Sequence, residues 1–276
     1  MTVLQGPKGT LARLAALDDT AIDPAEGALA LAALEYPLRD RGRYRAMLAE
    51  MAETVDEMAG GEQTAQAMAE ALADGLAGRH RLTGDDRDED DLQNANLMEV
   101  LDRRRGLPVS LGILWLDVGR RLGWTIEALA FPAHFLVRLT DAAGQRVILD
   151  PYGRGRQLDA ADMRELLKGA SGLAAELEPG HFTALGGREV LLRLQNLVKL
   201  RHLRLGQLRR AAEAVEAMLL FAPDQINLWR ESGLMQLRQG NLAAAVAALE
   251  EFVRRAPNST ARHRTSALLQ ELRERL

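Results

Sequence analysis

The sequence contains no cysteine. That absence excludes disulfide bonds, thiolate-ligated zinc, iron–sulfur clusters and a cysteine nucleophile. Aromatic residues make up only 4% of the chain, whereas alanine, leucine and arginine are abundant, a composition that favours helices. No apolar run approaches the roughly 20 residues that span a bilayer, and residues 1–19 lack the features of a signal peptide. We therefore expect a soluble, cytoplasmic protein with no membrane partner.

The chain also lacks an excess of positive charge. Its formal net charge is −4 and its sequence pI is about 5.8. Binding to the phosphates of nucleic acid requires a basic surface, so we do not expect nucleic acid as the main partner. A nucleic-acid-associated regulator is accordingly the weakest of the functions that we consider.

Histidines and carboxylates are not spaced to hold a metal. The DRDED motif at 86–90 alternates aspartates as a calcium loop does, but that loop needs glycine at position six and a carboxylate at position twelve. Those positions hold Asp91 and Leu97, so residues 83–91 are interpreted as a solvated acidic loop. Four histidines have no His or carboxylate partner at a spacing typical of zinc sites; they are His80, His181, His202 and His263. We therefore predict neither a metal nor a cofactor.

Helical signals dominate the first third of the chain. Asp23 is the expected N-cap, and Pro24 the first residue, of a helix that stops at Pro37. Residues 44–60 and 64–78 carry apolar side chains at spacings of three and four and each end in glycine, which predicts two more helices.

Three successive arginines, Arg103–Arg105, end a further predicted helix at residues 96–106. Such a run is compatible with phosphate binding, or with pairing to Glu99 or Asp102. Its place in the last helical turn favours a simpler role, in which the cations offset the negative end of the helix dipole.

The middle of the chain changes from helix to strands. Residues 110–122 are apolar on most sides and predict a buried helix. Three strand patterns follow at 124–131, 134–139 and 146–150, and residues 140–145 form a hairpin turn between the last two.

The last third contains an internal repeat. Several residues recur at an offset of 34, the period of the tetratricopeptide repeat; the pairs include Gly206 and Gly240, Leu208 and Leu242, Ala211 and Ala245, and Pro223 and Pro257. Because about three repeats are needed for a stable array, we expect a terminal helix at about residues 260–275 to complete it. Such repeats commonly present a surface to a protein or peptide partner. The alternative is that in this chain they only stabilise the first domain.

Two domains follow from these changes of pattern. We predict one domain at 1–180, with a helical part at 1–105 and a core at 106–160, and repeats at 186–276. The fold class is α+β, with a buried helix and an antiparallel sheet, followed by an all-α repeat domain.

Three polar residues mark a candidate site: Ser110 at the start of the buried helix, and His134 and Asp150 on the predicted strands. If Thr140 faces Gly144 in the hairpin, His134 faces Asp150 on the polar side of the sheet. A carboxylate there can fix the tautomer of the imidazole, and the helix start favours a developing anion. Serine is alternatively a good N-cap without any chemistry.

The same residues resemble a known family. A nucleophile at a helix start, followed by His and Asp on consecutive strands, resembles the core of the transglutaminase-like (papain-like) superfamily. The run from 99 to 155 with repeats behind it resembles the bacterial SirB-type transglutaminase-like proteins with tetratricopeptide repeats. The resemblance implies that Ser110 stands where transglutaminases have their catalytic Cys, with His134 and Asp150 at the positions of the catalytic His and Asp.

Two functions are compatible with this site. In the first, the chain is a pseudoenzyme, non-catalytic or weakly active, whose repeats capture a protein partner. In the second, it is a serine-based amide or ester hydrolase or acyl transferase, with Ser110 as nucleophile, His134 as base and Asp150 as orienting residue. A serine hydroxyl must lose its proton during attack, so the second function needs close alignment of all three groups.

Overall fold

The computed structural model describes residues 6–87, 90–132 and 134–274; Asp88, in the acidic loop, lies outside them. Packing divides the chain into two compact units. The core unit is Asp18–Leu194, and the repeat unit combines the described residues of Met1–Leu17 with those of Gln195–Leu276. The change from one unit to the other falls within a helix, and the domain boundary at 180–186 stays a prediction.

Helices make up most of both units. In chain order they are α1 (Gly6–Leu14), α2 (Pro24–Glu35), α3 (Arg41–Ala59), α4 (Ala65–Leu72), α5 (Leu97–Arg103), α6 (Pro108–Arg121), α7 (Ala160–Ser171), α8 (Gly187–Arg204), α9 (Leu208–Phe221), α10 (Ile226–Arg238), α11 (Leu242–Arg255) and α12 (Thr260–Arg273). A π-helix, Ala73–Arg79, continues α4 directly, and 3-10 turns lie at Leu92–Ala95 and Pro179–Phe182. Among these described helices, none is both long and apolar enough to cross a membrane.

The helix boundaries follow from local chemistry. Asp23 caps α2 as predicted, since its Oδ1 accepts the N–H groups of Ala25 and Glu26 at 2.8 and 3.3 Å. The buried helix begins at Pro108 rather than at Ser110, because proline at the first helical position loses no hydrogen bond and its φ is already helical. Gly123 follows the end of α6 with φ +74°, a conformation that glycine adopts easily.

The strands form one antiparallel sheet and one short parallel pair. They are β1 (Thr83–Gly84), β2 (Arg105–Gly106), β3 (Thr125–Leu129), β4 (Val137–Thr140), β5 (Arg146–Asp150), β6 (Arg156–Gln157) and β7 (Ala184–Leu185). The sheet has the order β6-β5-β4-β3-β7, and β1 pairs with β2 in parallel. The three predicted strands, β3, β4 and β5, form its centre, and one short strand, β6 or β7, lies at each edge.

Helix α6 is the centre of the core unit. Its residues from Val109 to Gly119 are all buried, as the apolar pattern predicted. Two glycines let the sheet approach closely: a Cβ on Gly112 would lie 2.1 Å from the ring of Phe135, and one on Gly119 would lie 2.8 Å from Ile126. The opposite face of the sheet packs against α7, in a second cluster; its buried members are Leu129, Phe131, Leu136, Leu158, Met163 and Leu167.

The repeat unit consists of paired helices with the predicted period. A Cβ on Gly233 in α10 would lie 2.6 Å from Leu249 in α11, so glycine is what permits this close helix pair. The indole N–H of Trp229 donates to the carbonyl of Pro223 at 2.8 Å. The expected terminal helix is present as α12, and its residues Leu269 and Leu272 pack into the apolar core of α10 and α11.

Candidate functional site

Ser110 lies in the first turn of α6 and is fully buried, with 0% of its surface exposed. Its hydroxyl donates a hydrogen bond of 2.9 Å to the main-chain carbonyl of Asn94. The same carbonyl accepts the N–H of Leu107 at 3.0 Å. The helix cap is Leu107, so an N-cap role for Ser110 is wrong. The side chain instead ties α6 to the 3-10 turn that precedes α5.

His134 lies in the turn that leads into β4, just before the strand begins. Its main-chain N–H donates to the carbonyl of Pro132 at 2.8 Å. Its ring is half-buried and stands 6.5 Å from the ring of Phe131, centroid to centroid, at an interplanar angle of 55°. Within the described residues the imidazole itself makes no hydrogen bond.

Asp150 ends β5 and organises the loop that follows. Its Oδ1 accepts the N–H of Tyr152 at 3.0 Å, and its carbonyl accepts the N–H of Gly155 at 2.8 Å. A Cβ on Gly153 would lie 2.6 Å from Oδ2, so the loop folds closely over the carboxylate. This aspartate therefore has a complete local role as the acceptor of an Asx-type turn.

The strand register differs from the expected one by two residues. The structure pairs Thr140 with Arg146 and Val137 with Leu149, so the expected pairing of Thr140 with Gly144 is wrong. Asp141 is the reason, because its N–H donates to the carbonyl of Gln145 at 3.0 Å and lengthens the turn.

This shift in register changes only which residue lies opposite Asp150 on the neighbouring strand. An even shift leaves the two faces unchanged, so Val137, Leu139 and Leu149 share the apolar face as predicted. The register places Leu136, rather than His134, opposite Asp150. No hydrogen bond joins any two of Ser110, His134 and Asp150 in the part of the chain that the structure describes, and the catalytic triad stays a prediction.

A polar network that the sequence patterns did not reveal surrounds α5. Asn96 caps this helix, with Oδ1 accepting the N–H of Met98 at 3.1 Å, and its Nδ2 donates to Glu35 at 2.8 Å. The one signal available was an Asn directly before an apolar helix.

Carboxylates of α5 complete this network. Glu99 pairs with Arg39 at 2.7 Å, and Asp102 accepts the hydroxyl of Tyr44 at 2.8 Å. Burial, and then the carboxylate of Asp102, raise the pKa of Tyr44. In the described part of the chain, the ion-pair partners of Glu99 and Asp102 are Arg39 and Arg43, not the arginine run. Arg103 instead pairs with Asp85 and Asp91 of the acidic loop, at 3.5 and 2.9 Å.

An open groove of about 470 Å³ lies on the face of the sheet that carries α7. Its lining mixes both charges with apolar side chains and includes Arg138, Arg146, Ile148, Asp162 and Phe182. Arg138 is held in place by Glu127, at 2.5 Å, and by the carbonyl of Phe182, at 2.9 Å. None of the three candidate site residues lines this groove.

Comparison with known proteins decides the family. Residues 42–196 match the family model of the transglutaminase-like superfamily, and residues 198–270 match a tetratricopeptide repeat model. A UPF0162 protein of Xylella fastidiosa is 30% identical over 238 residues, which cover 81% of this chain and 80% of that protein. This chain belongs to the SirB-type transglutaminase-like family with tetratricopeptide repeats.

Two further bacterial relatives are also similar to this chain. A UPF0162 protein of Pseudomonas aeruginosa is 31% identical over 217 residues, covering 76% of this chain and 77% of the relative. Protein SirB1 of Salmonella typhimurium is 29% identical over 139 residues, covering 50% and 51% respectively. The repeat match indicates a protein-interaction module, because tetratricopeptide arrays present extended surfaces to protein partners.

Proposed function

We propose that this SirB-type protein acts by holding a protein partner on its repeats, and that its transglutaminase-like core does not catalyse hydrolysis or acyl transfer. In this proposal Ser110 replaces the cysteine nucleophile of related enzymes and serves the fold instead. His134 and Asp150 keep their places in the core without completing a catalytic relay.

The hydrogen bond from Ser110 to Asn94 carries the first half of the proposal. A nucleophilic serine gives its proton to a base and presents its oxygen to substrate. Here the proton is directed at a main-chain carbonyl, and the residue is fully buried. His134, the expected base, makes no hydrogen bond to Ser110 within the described residues, so attack would first require breaking a satisfied buried bond.

Arg230 in α10 supports the second half. Its Nε is buried and has no hydrogen-bond partner in the described part of the chain, while the rest of the side chain is partly exposed. The next residue along the chain, Glu231, already pairs with Lys199 of α8 at 2.7 Å. An unsatisfied guanidinium beside a formed ion pair favours an acidic segment of a partner protein on this surface of the repeat unit.

A fluorophosphonate probe tests the catalytic half. Wild-type protein and Ser110→Ala are treated with the probe in parallel, with Ser266→Ala as a control that removes an exposed hydroxyl of α12. The proposal predicts the same background labelling for all three proteins. Labelling that is stoichiometric in wild type and in the control, and is lost only in Ser110→Ala, would support the serine hydrolase or acyl transferase instead.

Affinity capture with quantitative mass spectrometry tests the interaction half. The full chain, Arg230→Glu and Arg209→Glu are immobilised and exposed to a bacterial lysate. Arg209 is a matched control because it is an exposed arginine of the neighbouring helix α9. We expect a specific protein to be retained by wild type and Arg209→Glu and to be lost with Arg230→Glu. Equal retention by all three proteins would contradict the assignment of this surface.

A further inference from the structure

Five arginines belong to three separate segments that the backbone connects to the π-helix of the core unit and to the β1–β2 pair that follows it. Thr83 pairs with Arg105 between β1 and β2, and the N–H of Thr83 donates to the carbonyl of Arg104 at 3.1 Å. Arg154, from the loop after β5, donates to the π-helix carbonyl of Ala77 at 3.3 Å. Arg79 ends the π-helix, and two residues later Arg81 precedes β1. We call this group the arginine cluster; it consists of Arg79, Arg81, Arg104, Arg105 and Arg154.

The backbone of the cluster is unusual. Among the described residues, the non-glycine positions with positive φ are Arg81, Arg104 and Arg154, with values of 56, 60 and 61°. This left-handed conformation is disfavoured for every residue with a side chain, and glycine is the common choice. Arg104 even occupies the cap after α5 where glycine is typical. Arginine at three such positions costs the fold stability, which indicates a purpose for the side chains.

No ion pair with a described residue neutralises the charge of the arginine cluster. In the described ranges Arg79, Arg81, Arg104 and Arg105 form no ion pair and no side-chain hydrogen bond. Nη1 of Arg104 is buried without a partner, which is costly for a charged donor. Asp85 and Asp91 of the acidic loop do not neutralise the cluster, because both pair with Arg103.

His80, between Arg79 and Arg81, reports the resulting positive field. Burial lowers its pKa most, and the charges of Arg104 and Arg79 lower it further, against an opposing effect of Glu50. A basic field of this kind in a chain with a net charge of −4 is a local feature and not a general property of the surface.

We propose that the arginine cluster is a binding site for the phosphate groups of a small ligand that carries a diphosphate. Guanidinium groups bind phosphate oxygens through pairs of parallel hydrogen bonds. The positive charge of several unpaired arginines is more than the single negative charge of one carboxylate can neutralise, which favours a ligand with more than one phosphate. Five arginines on three short segments are too few to form the long basic stripe that binds nucleic acid. The site uses neither Ser110 nor the repeats, so it is independent of the function proposed above.

Calorimetry with sodium pyrophosphate at low ionic strength tests the site. Arg104→Gly removes the guanidinium and relieves the left-handed backbone, so it loses binding without losing stability. Arg105→Gln removes a second guanidinium. Arg146→Gln is the matched control, since Arg146 is an exposed arginine of β5, outside the cluster, that is unpaired within the described residues. We expect saturable binding by wild type and the control, at least tenfold weaker binding by both cluster variants, and an unchanged or higher Tm for Arg104→Gly.

Two further measurements sharpen the result. A nucleoside diphosphate that binds with the affinity of pyrophosphate shows that the phosphates alone are recognised, whereas tighter binding shows that the site belongs to a nucleotide. Pyrophosphate should also raise the pKa of His80 in an NMR titration of wild type, since it neutralises the field. Non-saturable binding, or binding by Arg104→Gly and Arg105→Gln that equals wild type, would overturn the proposal.

Discussion

The hydroxyl of Ser110 donates to the carbonyl of Asn94 at 2.9 Å, across 16 positions of the sequence. This bond joins the first turn of α6 to the 3-10 turn before α5. A thiol at the same position would be a much weaker donor. Serine therefore suits a structural link at a position where a cysteine would suit catalysis.

Loss of this bond should weaken the fold modestly. Ser110→Ala removes the donor, but the carbonyl of Asn94 keeps the N–H of Leu107, so no acceptor is left unsatisfied. We expect the free energy of unfolding to fall by about 0.5–1.5 kcal/mol, measured by urea denaturation. Ser266→Ala, which removes an exposed bond to the carbonyl of Arg262, should change it by less than about 0.5 kcal/mol. Equal effects of the two substitutions would show that the buried bond has no special role.

Close packing beneath the candidate site should make Gly112 intolerant of a side chain. A Cβ there would lie 2.1 Å from the ring of Phe135, which is buried and adjoins His134. Gly112→Ala should destabilise the protein by about 1–3 kcal/mol through overpacking. Gly169→Ala in α7 meets nothing within 4 Å and should stabilise by about 0.5–1 kcal/mol. Thermal melts of both variants check the contrast, and a neutral Gly112→Ala would contradict it.

Stability should depend on pH through His80. Its Nε2 lies 3.0 Å from the hydroxyl of Thr54, which donates to the carbonyl of Glu50, so the neutral imidazole is the donor in this pair. The pKa of His80 is lowered from 6.5 in the folded state, by burial first and then by Arg104 and Arg79. The unfolded chain therefore binds more protons just below pH 6.5, and the free energy of unfolding falls as the pH drops through that value to the folded pKa.

Replacement of His80 isolates this effect. Urea denaturation of wild type and His80→Gln between about pH 5 and 8 should give a smaller loss of stability on acidification in the variant. Glutamine still offers a donor to Thr54, so the fold is retained. Parallel pH profiles for the two proteins would contradict the prediction.

In the repeat unit, Glu251 should contribute acid-sensitive stability. Hydrogen bonds from Arg254 and then Arg255 lower its pKa to about 2 from 4.5. Because the folded pKa is lowered, this contribution is complete above pH 4.5 and is lost as the pH falls from 4.5 to about 2. Glu251→Gln should flatten the Tm profile in that window, more clearly at low salt because the group is partly exposed. Glu250→Gln is the control, and an identical acid profile for Glu251→Gln and wild type would sink the prediction.

Sequence patterns predicted the elements of the fold better than their pairing. Residue types and their spacing predicted four features: the cap at Asp23, the buried helix, the three central strands and the 34-residue repeat. The hairpin register was missed because the hydrogen bond from Asp141 to Gln145 sets the turn length, and no apolar pattern encodes it. The outer strands β6 and β7 have two residues each, too few to show a period.

The surroundings of the site could be predicted only in part. Sequence position identified Ser110, His134 and Asp150 as candidates, but not the carbonyl that receives the hydroxyl of Ser110. That acceptor belongs to the main chain and leaves no trace in residue types. The position of the arginine run at 103–105 in the sequence favours a helix-dipole role. The left-handed backbone of Arg104, like that of Arg81 and Arg154, is set by tertiary structure and has no sequence pattern.

The reactivity of a single introduced thiol tests the central claim, that position 110 is structural. The chain has no cysteine, so Ser110→Cys carries one thiol, and iodoacetamide labels it alone. Burial predicts alkylation at least tenfold slower in the folded protein than in guanidinium chloride, with no thiolate formed near pH 6, well below the ordinary thiol pKa of about 8.5. A thiol that reacts rapidly near pH 6, and slows when His134→Ala is added, would contradict the account and restore the catalytic triad.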